Sequence, residues 1–393
     1  MNILFIHHHK KNKFSYRAGN FAKELVSKGH SVNAICISEK KHFRVTKYYE
    51  NGVFYIETPD LFFGRARSGW DLWNTLIRIF LIKKLDFDLI FAFETRPATI
   101  YPVMYSLSKK KVPLIIDWVD WWGHGGLITE NRPYWYRILF EKMETYYEEN
   151  FRSLADGTVV ISSGLINRAI DLGVNEKSII ELPNGSASEI KESTDSKIFR
   201  NMFNIPQNSF VICDTGKDVL IGNDLFFKAI QLVINSDPNV FFIMTGSKKE
   251  KFKTLASKYG IKDHFLHLGF LPTNELEMAM SCADVFIIPF EDKPSNKGRW
   301  PGKIGKYLSL GRPVITNPVG AMKSLLEKHQ IGLLADQFPE DIASKITYLK
   351  NNPEECKVYG NNARRLAENE LSWSNLTDRL EKFLYITANA FNR

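Results

Sequence analysis

Cysteine is scarce in this 393-residue sequence: Cys36, Cys213, Cys282 and Cys356 stand far apart. Three lie in or beside apolar segments, which points to buried free thiols rather than disulfides or a metal site. No apolar run reaches the roughly 18 residues of a membrane-crossing helix. The opening MNILFIHHHKK runs directly into a strand and basic residues, without the cleavage region of a signal peptide. A cytoplasmic protein is therefore expected. Zinc-finger spacing, an RNA-binding aromatic signature and a helix-turn-helix pattern are all missing, which argues against a nucleic-acid partner.

What is present is ordinary globular composition, 44% hydrophobic and 24% charged, at a length that suggests two domains. The net charge of +8 is unevenly spread: residues 1–84 hold fifteen Lys/Arg against six Asp/Glu. A basic block suits a phosphate-rich partner, and without nucleic-acid motifs an anionic membrane surface is expected. Within residues 61–85, Trp70, Trp73, Leu76, Ile77 and Phe80 form an apolar helical stripe flanked by Arg65, Arg67, Arg78, Lys83 and Lys84. That is the pattern of an interfacial helix. The alternative is a core-facing helix with a basic exterior.

Asn2–His7 reads as a strand, His7–Lys11 as a loop, Ala18–Lys28 as a helix and Ser31–Ile37 as a second strand, a Rossmann-like opening. Three consecutive histidines on an extended segment point to alternate sides, which argues against a shared metal. Asp88–Phe93 is a further strand, followed by the loop Glu94-Thr95-Arg96-Pro97. Leu114–Ile116 leads into DWVDWWGHGG, residues 117–126. Carboxylates accept hydrogen bonds from hydroxyls and aromatic rings cover apolar sugar faces, so Asp120 and His124 are candidate functional residues. The alternative makes the tryptophans core and Asp117 a turn cap. Residues 186–209 read as an interdomain linker with an entry helix. Phe210–Thr215 opens the second domain and ends at Gly216-Lys217.

The stretch from Asp284 to Gly320 is a strand–loop–helix–strand unit, with the helix opening near Pro301 and ending at Gly311. Parallel sheets bind ligands at the carboxyl ends of their strands. Lys297, Arg299, Lys303 and Lys306 crowd the loop and first turns, where cations oppose the helix dipole by about 0.3–1 kcal/mol each. A bound anion would relieve that repulsion; a solvated basic helix end is the plainer reading. Asn296 and Gly302 belong to the same loop.

Pro301-Gly302-Lys303, Lys306-Tyr307-Leu308 and Gly311-Arg312-Pro313-Val314 resemble the donor-binding segment of the retaining GT-B glycosyltransferases of family four. Arg299-Trp300-Pro301 matches one subgroup. Ala155-Asp156, the strand after it, Ser162-Ser163 and Pro183-Asn184-Gly185 resemble the family's second hallmark, and the likeness covers nearly the whole chain. It implies two Rossmann-like α/β domains facing across a cleft. The N-terminal one (1–190, with a returning helix 374–393) would bind the acceptor, and the C-terminal one (191–373) a nucleotide sugar. By the same resemblance, Gly216, Lys217, Arg299 and Lys303 hold the donor diphosphate without a metal, and no other cofactor is expected. Asp120 and His124 serve catalysis. Arg17, Gly19, Glu94 and Arg96 line the acceptor side.

One departure stands out. Two acidic residues normally flank the donor loop, the second gripping the ribose hydroxyls; here Lys306 occupies the second position and Gly298 the first. Another acid such as Glu291 or Asp292 takes the ribose, or the donor carries extra negative charge, or the chain is a non-catalytic partner subunit. The expected function is retaining sugar transfer to a glycan or lipid-linked acceptor in surface polysaccharide or glycoconjugate biosynthesis, at the inner face of the membrane.

Overall fold

The computed structural model describes residues 1–14, 16–40, 43–61, 67–186, 196–215, 223–246 and 249–392. Gly216 and Lys217, and residues 62–66 of the basic–aromatic stretch, lie outside the described residues. Contacts divide the chain into two units: Met1–Asn184 with Lys297–Trp300 and Trp373–Arg393, and Gly185–Asn296 with Pro301–Ser372. The expected boundary at residue 190 thus falls at Asn184, and Lys297–Trp300 joins the first unit. Side-chain packing explains the second difference. Ser162 Oγ donates to the Gly298 carbonyl at 3.0 Å. A Cβ on Gly164 would stand 1.9 Å from the Lys297 carbonyl oxygen, so only glycine admits this segment.

The first unit is built on β1 (Asn2–Lys10), β2 (Ser31–Ile37), β3 (Thr46–Glu50), β4 (Val53–Thr58), β5 (Leu89–Phe93), β6 (Leu114–Trp118), β7 (Gly157–Val160) and β8 (Ile179–Glu181). Their order is β3-β4-β2-β1-β5-β6-β7-β8, all parallel except the β3–β4 pair. Apolar runs such as ILFI and LIFAF are what strands covered on both faces require, and all of Ile3–Ile6 and Leu89–Phe93 are buried. The β3–β4 hairpin turns on Asn51-Gly52 at φ 50° and 76°, a two-residue primed turn that needs left-handed backbone at both positions.

The second unit holds β9 (Phe210–Asp214), β10 (Val240–Met244), β11 (Phe265–His267), β12 (Val285–Ile288), β13 (Val314–Thr316) and β14 (Gly332–Leu334), all parallel, in the order β11-β10-β9-β12-β13-β14. In each unit the strand order reverses at one place, between β1 and β5 and between β9 and β12. A doubly wound sheet binds ligands at the carboxyl ends on either side of such a reversal.

Three local expectations change. β1 does not stop at His7 but runs to Lys10, with a register irregularity between Ile6 and Lys10. That irregularity breaks the alternation of side chains, so the three imidazoles cluster, His8 and His9 with ring centres 4.0 Å apart. The helix expected from Pro301 spans Ile304–Ser309, because Pro301–Lys303 forms a turn closed by the Ile304 N–H to the Pro301 carbonyl at 3.0 Å. The long helix Tyr134–Glu149 was not anticipated. As expected, Cys36, Cys213 and Cys282 are buried free thiols; Cys356 is half-buried and free.

The helix Trp373–Phe391 completes the first unit: Leu376, Leu380 and Leu384 share a core cluster with Phe21, Leu25 and Val159. Leu380→Ala, at a fully buried position, should destabilise this unit by about 2–5 kcal/mol. Urea unfolding followed by tryptophan fluorescence checks the shift.

Candidate functional site

Arg17 stands immediately before the helix Ala18–Ser27 and is almost wholly buried. Its Nε donates to Asp117 Oδ2 at 2.9 Å and its Nη2 to Asp117 Oδ1 at 2.8 Å, a two-point grip at the end of β6. Nη2 also donates to the Leu182 carbonyl at 2.8 Å, and Nη1 to the Pro183 carbonyl at 3.1 Å and Asn184 Oδ1 at 3.3 Å. Every donor nitrogen is committed to protein acceptors. Arg17 therefore positions the edge, whereas it was expected to touch an acceptor. Burial pushes the Asp117 carboxyl up, and the Arg17 guanidinium works against that push. Gly19 is the second residue of the same helix and half-buried.

Glu94 has the same kind of role. It sits at φ 66°, a conformation rare for a residue with a side chain. Three bonds fix it there: its N–H donates to the Asp117 carbonyl at 3.1 Å, Oε1 accepts from the Val119 N–H at 3.0 Å, and Oε2 accepts from Arg152 at 2.7 Å. Strain held by surrounding bonds is a mark of functional sites. Trp118 is fully buried with the Arg152 guanidinium 4.3 Å from its ring, so that tryptophan is core.

These contacts frame a cavity of about 200 Å³ at the β1–β5 strand reversal. Its walls include His7, His8, His9, Asp120, Trp122 and Trp300. Burial holds His7 and His9 far down, to about 3 and about 2, and His8 well below the usual range, so all three rings are neutral near pH 7. The His9 N–H donates to His7 Nδ1 at 2.9 Å, and His8 Nδ1 lies 3.3 Å from the Phe93 carbonyl. His8 Nε2, His9 Nδ1 and Trp300 Nε1 are buried with no partner among the described residues. Such orphans cost about 1–3 kcal/mol each unless a ligand or water satisfies them. Among the described residues no group of three or more His, Cys, Asp or Glu could hold a metal ion.

Asp120 is the carboxylate left open to this cavity, its side chain 31% exposed with Arg299 Nε 3.9 Å away. Burial raises its pKa to about 6, against the pull of Arg299 and Arg96. Arg96 donates to the Ser68 carbonyl at 2.8 Å, and its guanidinium lies 5.2 Å from the Trp122 ring. Burial lowers it to about 10, so it stays charged. Arg299, expected beside Lys303, thus stands with the first unit. His124 does not join Asp120. Its ring is 79% exposed, 3.1 Å from Glu141, over a separate surface depression. The turn at Gly123–Gly126 and the bond from Trp121 Nε1 to the His124 carbonyl at 3.0 Å swing it outward.

In the second unit the end of β9 is tied to the Ile304–Ser309 helix. The Thr215 N–H donates to Tyr307 Oη at 2.8 Å, and the Tyr307 ring stacks on Phe286 at 3.9 Å. This brings Lys303 into an ion pair with the buried Asp214. Asn296 is buried, its Nδ2 donating to the Glu291 carbonyl at 2.9 Å, and Gly302 is exposed. Lys306 is half-buried, and no carboxylate among the described residues pairs with it. Sequence reasoning missed Trp300 as a cavity wall and Arg152 as the partner of Glu94, whereas Trp122 lies in the loop whose tryptophans it had marked.

Two family models match the chain: Glycosyltransferase Family 4 over residues 15–187 and Glycosyl transferases group 1 over residues 198–366. An uncharacterized glycosyltransferase of Methanocaldococcus jannaschii is 24% identical over 252 residues, 61% of this chain and 62% of that protein, so the match spans less than two thirds of that relative's length. The crystal structure of Anabaena HepE in complex with UDP superposes with a TM-score of 0.72 at 14% identity, covering 98% of this chain and 100% of that one. WaaG, a glycosyltransferase involved in lipopolysaccharide biosynthesis, gives 0.68 at 15% identity, covering 97% and 99%. At these identities the likeness is one of fold.

Arg17→Met should leave the Asp117 carboxylate buried and unpaired, at a cost of about 3–5 kcal/mol. Chemical denaturation near pH 7 measures it. Stability recovering in the Arg17→Met, Asp117→Asn double variant would confirm the pairing.

Proposed function

We propose, for a chain that belongs to the group 1 glycosyltransferases and has the GT-B fold of two parallel-sheet α/β units, that it moves a sugar from a nucleotide-diphosphate donor to a glycan or lipid-linked acceptor with retention of anomeric configuration. The observation that carries the acceptor side is the first-unit cavity: one open carboxylate, two tryptophans and three buried nitrogens without partners among the described residues. That is a lining suited to a neutral, hydroxyl-rich ligand. Asp120 accepts the reacting hydroxyl's hydrogen bond, while Arg17 and Glu94 hold the loops around it. The second unit takes the donor. Lys303 and Lys217 neutralise the diphosphate, with Arg299 as a further cation, so that no divalent ion is needed as charge builds on the leaving group. Removal of one such contact costs about 2.7–4 kcal/mol in a transition state. The UDP bound by HepE and the lipopolysaccharide role of WaaG support this donor and acceptor class. The reaction takes place at the cytoplasmic face of a membrane, with no nucleic acid involved.

A second reading, a non-catalytic partner subunit, is favoured by one observation: Lys306 has no carboxylate partner among the described residues and cannot accept a ribose hydroxyl's hydrogen bond. A thermal-shift series with UDP and other nucleoside diphosphates separates the two. A ligand at about a hundred times its Kd adds roughly 2.7 kcal/mol of stability, and Lys303→Met should weaken binding about ten- to hundredfold. Stabilisation of the wild type supports the transferase. Binding gained only in Lys306→Glu supports the partner subunit.

Asp120 works as a carboxylate and is protonated below about 6. The profile of kcat/KM, which reports groups of the free enzyme, should therefore rise with pH through about 6 and flatten above it. Asp120→Asn should lose most activity together with this acid limb. An Asp120→Asn variant with an unchanged profile would remove Asp120 from the reaction.

A further inference from the structure

A surface helix ordinarily turns its apolar stripe inward and its charges outward. Two helices of the first unit do the reverse. In Tyr134–Glu149 the inward face carries Glu144 and Glu148, each 4% exposed. Arg67 is ion-paired with Glu144, and Arg168 Nε lies 3.7 Å from Glu148. The outward face carries Trp135, Ile138 and Leu139, exposed by 61%, 64% and 64%. In Leu72–Ile82 the buried residues are Asn74, Thr75, Arg78 and Ile82, while Leu72, Trp73, Leu76 and Phe80 face out. Arg78 is wholly enclosed, donating to the carbonyls of His7 and Ala98 at 2.9 Å.

The inversion is costly to maintain. Burying charged groups carries a desolvation penalty that their pairing only partly offsets, so a helix with nothing to meet outside would settle the other way round. The two helices are joined through Pro97–Leu107: Tyr101 Oη lies 2.5 Å from Tyr147 Oη, and the Lys83 ammonium lies 5.0 Å from the Phe80 ring and 4.8 Å from Tyr105. Charge selects the partner. Over residues 72–150 seven Lys/Arg are exposed against two Asp/Glu, and one of those, Asp86, is already paired with Lys110. Lys142 rises within the outward stripe of Tyr134–Glu149, where a long stem lets its ammonium reach the headgroups.

We infer that these three helices form one face that lies on an anionic lipid surface, with Tyr134–Glu149 and Leu72–Ile82 both seated at the boundary between headgroups and acyl chains. The inference deepens the proposed function, from which it takes the membrane acceptor, and enlarges the docking surface well beyond residues 61–85. Among the described residues no helix is long and apolar enough to cross the membrane, so the contact is one of lying on it.

The test is flotation of the full chain with phosphatidylcholine vesicles, with and without phosphatidylglycerol, at low and high salt. No donor or acceptor is needed, so failure here leaves the transferase reading standing, and the UDP thermal shift tests that reading separately. The wild type should float with anionic vesicles only, less so at high salt. Trp135→Glu with Ile138→Glu, and separately Leu76→Glu with Phe80→Glu, should each weaken partition at least about tenfold. All four positions are exposed, so thermal stability and the UDP shift should be unchanged. A wild type that does not float, or a Trp135/Ile138 variant that floats like the wild type, overturns the inference. So does light scattering that shows a dimer without lipid, abolished by the same pair, which would make the face a contact between copies.

Discussion

The two-point ion pair between Arg17 and Asp117 governs the first unit's carboxyl edge. One guanidinium joins the start of a helix, the end of β6 and the segment from Leu182 to Asn184. A second guanidinium, Arg152, meets Glu94 across the same edge. Two carboxylates placed this close oppose each other's ionisation, as the upward influence of Glu94 on Asp117 indicates. With each given its own arginine, the edge becomes rigid, and Asp120 remains as the carboxylate turned to the cavity. Asp117 and Glu94 thus hold the backbone, which leaves Asp120 for the ligand in the proposed function.

The neutral imidazoles belong to the same economy of charge. Arg96, Arg67, Lys13 and Arg78 surround them, and any one ring that took a proton would add a cation to a crowded positive field. Burial and that field keep the rings uncharged, which makes His8 and His9 hydrogen-bonding groups of either polarity rather than ion partners. In the proposed function these rings meet the hydroxyl groups of the acceptor. In the second unit the balance tips the other way: Lys303 is offset by Asp214, while Lys306 keeps its charge unmatched among the described residues.

Much of the fold was legible because parallel strands buried on both faces leave continuous apolar runs, and their punctuation by Gly, Pro and Asp marks the carboxyl ends. The place of Asp120 at the cavity edge was legible for a related reason, since its carboxylate follows such a strand in a loop dense with tryptophan. Arg17 as a positioning residue was not. Its partners lie 100 to 167 residues away, and nothing local distinguishes it from a ligand-binding arginine. The separation of His124 from Asp120 was not legible, because neither the glycine turn nor the Trp121 bond that rotates it outward has a signature in spacing. The face chosen by Tyr134–Glu149 was equally hidden: its sequence is amphipathic, but Arg67 and Arg168, supplied from elsewhere, decide which side is inside. The run of histidines read as a loop because three polar residues seldom extend a buried strand.

The helix Trp373–Phe391 lies among the first unit's own core side chains, although a whole second unit separates it from them in sequence. During synthesis, residues 1–184 therefore leave the ribosome with Phe21, Leu25 and Val159 lacking the leucines that cover them. The second unit, nearly continuous in the chain, has its core residues in hand before that helix is made. The chain thus supplies the last piece of the first core after all of the second. The amino-terminal half is made without the helix that completes its core, and that core closes only when Trp373–Phe391 is in place.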